Sequence, residues 1–264
     1  MCIGVFLWRG DPNYPLILFL NRDEYHNRPT KAVGWWEGGD IVGGRDELGG
    51  GTWLACSRSG RFAFLTNVRE LHSQTNVNTR GELPVRFLEG TESPKEFADE
   101  LVRQGDCYNG FNLIIADFCS MNMVYITNRP KGDGMSVCQV SPGVHVLTNS
   151  SLDTPWPKAL RLQQNFRGLL HQYSKTEYHA KEMAEKLMQD RTKDNDTNLP
   201  GIYPPEFEHQ LSSIFVEAET PKGRYGTRST SVVFVEASGG VRFYERYIEN
   251  DLWKEHEVSF LIES

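Results

Sequence analysis

A chain of 264 residues, 39% hydrophobic and 11% aromatic, can bury the core of one large domain or two small ones. Its formal net charge of −7 speaks against a general nucleic-acid binder, and no long Lys/Arg cluster suggests an anionic membrane surface. No run approaches the ~20 apolar residues of a membrane span, and the N-terminus has neither the basic start of a secretory signal nor the composition of a mitochondrial transit peptide.

Residues 2–8 (CIGVFLW) and 16–20 (LILFL) are continuous apolar runs joined by the turn-rich Arg9–Pro15. They read as a hairpin buried on both faces. Antiparallel pairing then brings Cys2 beside the polar cluster Asn21-Arg22-Asp23-Glu24 that ends the second strand. Residues 26–30 read as a loop, and the glycine-rich stretch 37–51 as tight turns between short strands. Strands are expected at 52–57 and 61–66, and a polar, exposed loop at 71–81. Ser93, Pro94 and Glu96 start a helix whose face carries Phe97, Leu101 and Val102 and which ends at Gly105. Strand-like runs at 111–116, 122–127, 135–140 and 143–148, with short turn-rich links, read as an antiparallel meander. Helices follow at 157–172 and 176–190, then a polar loop at 191–205 and strands at 212–217, 228–236 and 240–248. Clustered strands with packed helices define an α+β chain of mostly antiparallel sheet.

The five cysteines (Cys2, Cys56, Cys107, Cys119, Cys138) are scattered and contain no C-x-x-C, so free thiols in a reducing compartment are expected. The seven histidines form no H-x-x-x-H pair or ligand cluster, so no metal is expected. Cys2 stands out by position. Trimming of Met1 would give one residue both a thiol nucleophile and an α-amine basic enough to activate it. Arg22 beside it is expected to lower the thiol pKa, and Asp23 to orient the ammonium. The plainer reading of Cys2 is a small hydrophobe at a strand start. Three strand ends carry Thr-Asn: Thr66-Asn67, Thr127-Asn128 and Thr148-Asn149. Asparagine there is ordinarily a turn residue; alternatively its amide serves as an oxyanion donor, with Asn149 the first candidate and Asn67 the second. Arg228, followed by alternating hydroxyls, is either part of a solvent face or a second cation in the site.

Cys2, the tetrapeptide Asn21-Arg22-Asp23-Glu24, Gly44-Arg45-Asp46 ahead of Gly50-Gly51-Thr52-Trp53-Leu54, and Leu147-Thr148-Asn149-Ser150 together resemble the NRDE-motif family, that of Transport and Golgi Organisation protein 2. The likeness covers nearly the whole chain, implying a single domain over 1–264. The family is similar to N-terminal-nucleophile hydrolases, which implies a four-layer αββα sandwich. Cysteine members such as penicillin V acylases and bile salt hydrolases use an N-terminal cysteine, an arginine, an aspartate, asparagines and a late arginine. By motif, the resemblance puts Cys2, Arg22, Asp23, Asn149 and Arg228 in those roles, with Asn67 as a further asparagine. In the acylases the arginine and aspartate are separated, whereas Arg22 and Asp23 are adjacent. Strand neighbours point to opposite faces, so both can face the thiol only if the strand has ended, and Glu24 is the alternative carboxylate.

Two functions follow. One is a cysteine amidohydrolase acting on an amide or acyl compound, with no cofactor required. The other is a non-catalytic carrier of haem or a lipid-like ligand in the same pocket, since the resemblance implies intracellular haem mobilisation and lipid metabolism. It also implies an intracellular, mainly cytoplasmic location with Golgi or mitochondrial association.

Overall fold

The computed structural model describes residues 2–75, 77–104, 107–173, 178–195 and 198–263. Gly105, residues 176–177 of the second expected helix and residues 196–197 of the expected loop lie outside them. The chain opens with β1 (Cys2–Trp8) and β2 (Leu16–Tyr25), followed by β3 (Thr30–Trp35), β4 (Ile41–Asp46), β5 (Leu54–Ser57) and β6 (Arg61–Asn67). Helices α1 (Glu82–Glu89) and α2 (Pro94–Gln104) precede β7 (Phe111–Asp117), β8 (Asn122–Thr127), β9 (Ser136–Gln139) and β10 (Gly143–Leu147). Then come α3 (Pro157–Tyr173), α4 (Ala180–Met188) and α5 (Pro205–Gln210). The chain closes with β11 (Glu217–Thr220), β12 (Gly223–Val235), β13 (Gly240–Glu249) and β14 (Leu252–Leu261).

The strands form two antiparallel seven-stranded sheets. One has the order β10-β1-β2-β12-β13-β14, with β11 paired to β12; the other runs β3 to β9 in sequence. β1 and the first half of β2, Leu16–Leu20, are apolar throughout because both of their faces are covered. On β1, Cys2, Phe6 and Trp8 join the core between the sheets, while Ile3, Val5 and Leu7 pack under α3 and α4. On α3, Ala159, Leu162, Phe166 and Leu169 recur at helical spacing and meet that outer face. Leu83, Phe87, Phe97 and Leu101 of α1 and α2 cover the outside of the second sheet. The result is the expected layering of helices, sheet, sheet and helices.

The start of α2 is a reciprocal cap: the Ser93 backbone N–H donates to the Glu96 carboxylate at 2.9 Å, and the Glu96 N–H donates back to Ser93 Oγ at 3.3 Å. Val102 does not share its buried face; it is 42% exposed, and Ala98 packs there instead. Residues 212–217 are not a strand: only Glu217 belongs to one. Ser212–Val216 are buried irregular chain, and the Asn21 side chain satisfies the Ile214 carbonyl at 3.0 Å where a ladder would have done so. The polar stretches hide α1 and α5, and β14 is an edge strand too exposed to alternate clearly.

Two glycine contacts shape the polar end of the sandwich. A Cβ on Gly44 would stand 2.3 Å from the Trp53 ring, and one on Gly51 would stand 2.3 Å from the Gly81 carbonyl. Glycine at 51 lets the turn before α1 press on the entry to β5, where the Thr52 N–H donates to the Gly81 oxygen at 3.0 Å.

Candidate active site at the Cys2 end

The β1–β2 register sets Cys2 directly opposite Arg22. The strand does not end there. It continues to Tyr25, pairing Asp23 with Thr227 and Glu24 with Gly226 on β12. Arg22 and Asp23 therefore face opposite ways. The Arg22 guanidinium turns inward and lies 4.1 Å from the Trp53 ring centroid, with Nη1 3.4 Å from Thr30 Oγ1. Asp23 turns toward the helical layer and accepts a 2.7 Å hydrogen bond from the Thr227 hydroxyl. Both still line one cavity of about 140 Å³, because it opens at the sheet's end, where the two faces meet. Cys2, Glu24 and Asn67 line it as well.

Cys2 is 7% exposed. Burial pushes its thiol pKa up and the nearby Asp23 carboxylate adds to that, outweighing Arg22 and the hydrogen bond from the Asp23 backbone N–H. This corrects the expectation of a lowered thiol pKa: desolvation exceeds the arginine's pull. The thiol stays protonated near neutrality and needs a base. Asp23 is also pushed up by burial, against the opposing pull of Lys158, Thr227 and Arg69. Lys158 is itself buried; its ammonium donates to the Leu211 carbonyl at 2.8 Å, and burial, then Arg69, brings its pKa down to about 8. Arg69 and Glu208 form a buried ion pair at 2.9 Å behind this group.

Asn149 and Arg228 do not line the Cys2 cavity. Asn149 is buried behind Asn67; its Nδ2 donates to the Asn67 carbonyl at 2.9 Å, while its Oδ1 has no partner among the described residues. Arg228 lies between the two expected alternatives, neither a solvent face nor a wall of this cavity. At a β12 irregularity between Thr227 and Ser229, its Nη1 donates to the carbonyls of Tyr25 (3.2 Å) and Arg28. It lines a smaller neighbouring cavity that shares Arg22 and Trp53. Asn128 is a turn residue, accepting from the Phe111 N–H at 2.9 Å.

Sequence reasoning missed Arg28, Asp46 and Arg80 as cavity residues. Arg28 holds Asp46 through two bonds, Nε to Oδ1 at 2.9 Å and Nη2 to Oδ2 at 2.6 Å. Asp46 belongs to the Gly-Arg-Asp motif, and that signal could have found it. Arg80 sits in the loop read only as exposed. Among the described residues, no group of three or more His, Cys, Asp or Glu side chains could hold a metal ion.

A conjugated bile acid hydrolase from Clostridium perfringens superposes with a TM-score of 0.52 at 10% identity, covering 98% of this chain and 96% of that one. The α+β architecture is therefore that of the N-terminal-nucleophile hydrolases. Residues 1–250 match the family model described as Transport and Golgi organisation 2, and the chain belongs to that family. The human Transport and Golgi organization protein 2 homolog is 31% identical, and the mouse homolog 30%, each over 100% of both chains.

Proposed function

We propose that this protein is an N-terminal cysteine amidohydrolase. One observation carries the reading: Cys2 stands in register opposite Arg22, with the Asp23 N–H on its sulfur and Asn67 on the same cavity wall. The fold shared with a conjugated bile acid hydrolase supports it.

With Met1 removed, the Cys2 amine takes the thiol proton. The sulfur attacks the amide carbon and forms the C–S bond. Asn67, braced by Asn149, donates to the oxyanion. As the C–N bond breaks, the ammonium returns its proton to the leaving nitrogen. Water, deprotonated by the same amine, then hydrolyses the thioester and frees the acid. Asp23 holds the ammonium, and Lys158 and Arg69 pull against the burial that raises its carboxyl pKa.

Haem and lipid chains fit this cavity poorly. It offers about 140 Å³, its walls carry charged side chains including Arg22, Arg28 and Glu24, and among the described residues its one soft ligand is Cys2. Free cysteines support a reducing, intracellular setting, and the relatives' names point to the Golgi. No helix among the described residues is long and apolar enough to cross a membrane.

The test is amide turnover by wild type, Cys2→Ser and a chain with a non-cleavable residue before Cys2. Both variants are expected to lose about 10³-fold or more while remaining folded. Full activity of the extended chain would rule out the N-terminal amine as the base.

A further inference from the structure

We propose that the Cys2 cavity selects a compact anionic substrate, an amide bearing a carboxylate, and that Arg80 together with Arg22 reads that carboxylate. The proposal rests on the cavity being the substrate site.

The charges on its wall are not paired evenly. Arg28 is occupied by Asp46 and has Glu24 3.9 Å away. Glu24 also accepts the Tyr25 N–H at 2.8 Å. Asp23 faces the opposite layer, bonded to Thr227. The wall's carboxylates are thus engaged. Two of its guanidiniums are not: among the described residues neither Arg22 nor Arg80 forms an ion pair. Arg22 is 6% exposed and has one long hydrogen bond, to Thr30. Arg80 donates from Nη1 to the Gly110 carbonyl at 3.0 Å and lines the cavity from the turn before α1.

Glu70 and Glu24 act on Arg80, and Asp46 and Glu245 feel Arg22, from beyond ion-pair distance; a desolvated guanidinium with no carboxylate in contact is costly, so two on one cavity wall favour an anion arriving from outside. The planar fork of arginine suits a carboxylate. Arg80 and Cys2 come from different parts of the cavity wall, one from the loop before α1 and the other from β1, so a molecule touching both bridges them. A cavity of about 150 Å³ holds a molecule the size of benzene, and this one measures about 140 Å³. A short amide with a carboxylate a few carbons away fills it, and any longer part of a substrate leaves through the open end.

The test uses the full chain carrying Cys2→Ala, so that nothing is turned over, and two probes of one size. Succinamate has an amide and a carboxylate; succinamide replaces the carboxylate with a second amide. Calorimetric titration is expected to show succinamate binding about tenfold more tightly or better, with the preference shrinking as salt is raised. Arg80→Gln in the same background should erase the preference, and Arg80→Lys, which keeps the charge without the fork, should retain part of it. The salt dependence reads the charge term even where a variant folds poorly. Equal binding of the two probes, binding of neither, or a preference that survives Arg80→Gln in folded protein overturns the proposal. Turnover is measured separately in the processed wild type. Selective binding without hydrolysis would sink the amidohydrolase reading and leave the anion site standing. Hydrolysis of both probes at equal rates would do the reverse.

Discussion

The two halves of β2 are both buried, yet they are built by opposite rules. Leu16–Leu20 are fully buried apolar side chains that need no partner, only close packing. Asn21, Arg22 and Asp23 are nearly as buried and fully polar. Asn21 is satisfied in full, donating to the Met188 and Ile214 carbonyls at 2.8 and 3.0 Å and accepting from the Thr230 hydroxyl at 2.6 Å. It is a structural residue despite its place in the motif. Arg22, one residue on, stacks on Trp53 and has no carboxylate within ion-pair distance among the described residues, Asp46 and Glu245 acting on it from further off. Within a buried polar segment, missing partners, not polarity, separate a site from scaffold.

The largest effect on stability belongs to the apolar half. Phe19→Ala is expected to cost about 3–5 kcal/mol, measured by denaturant unfolding, since Phe19 is fully buried against Phe166 and Phe234. A loss below about 1 kcal/mol, less than any buried Phe→Ala should show, would contradict the packing account.

Next comes Lys158, behind Asp23. Its folded pKa of about 8 lies below the ordinary 10.5. Between those values the unfolded chain binds the proton that the folded chain does not, so stability falls as pH drops through that window and levels off below it. The fall should amount to at most about 3 kcal/mol. Lys158→Met should flatten it; matching pH profiles for the two proteins would refute the depressed lysine.

Arg22→Met is expected to have the smallest effect on stability, within about 1 kcal/mol of wild type, because an unpaired buried guanidinium contributes little. A loss as large as that of Phe19→Ala would mean that Arg22 is scaffold after all.

The hairpin could be read because five successive apolar residues at 16–20 admit one environment, and the register opposite Cys2 followed from antiparallel pairing. The expected acidity of the thiol fails because the sequence shows that Cys2 is buried beside Arg22 but not that desolvation outweighs the arginine. The sequence leaves Arg228 open between a solvent face and the site because the irregularity beside it cannot be seen in Thr227-Arg228-Ser229. Arg80 was missed because it reaches the cavity through a long-range contact, Gly51 against Gly81, that no local pattern encodes. Continuation of β2 past Asn21 was unexpected because polar residues usually end a buried strand, and here β12 pairs with them.

In the proposed mechanism Cys2 acts with its own amine as base, inside a cavity where the thiol alone stays protonated. Intact-mass and N-terminal sequencing of the protein isolated from its native cells tests that most directly. The account predicts a chain that begins at Cys2. A chain that keeps Met1 would leave a peptide nitrogen in place of the base and would contradict it.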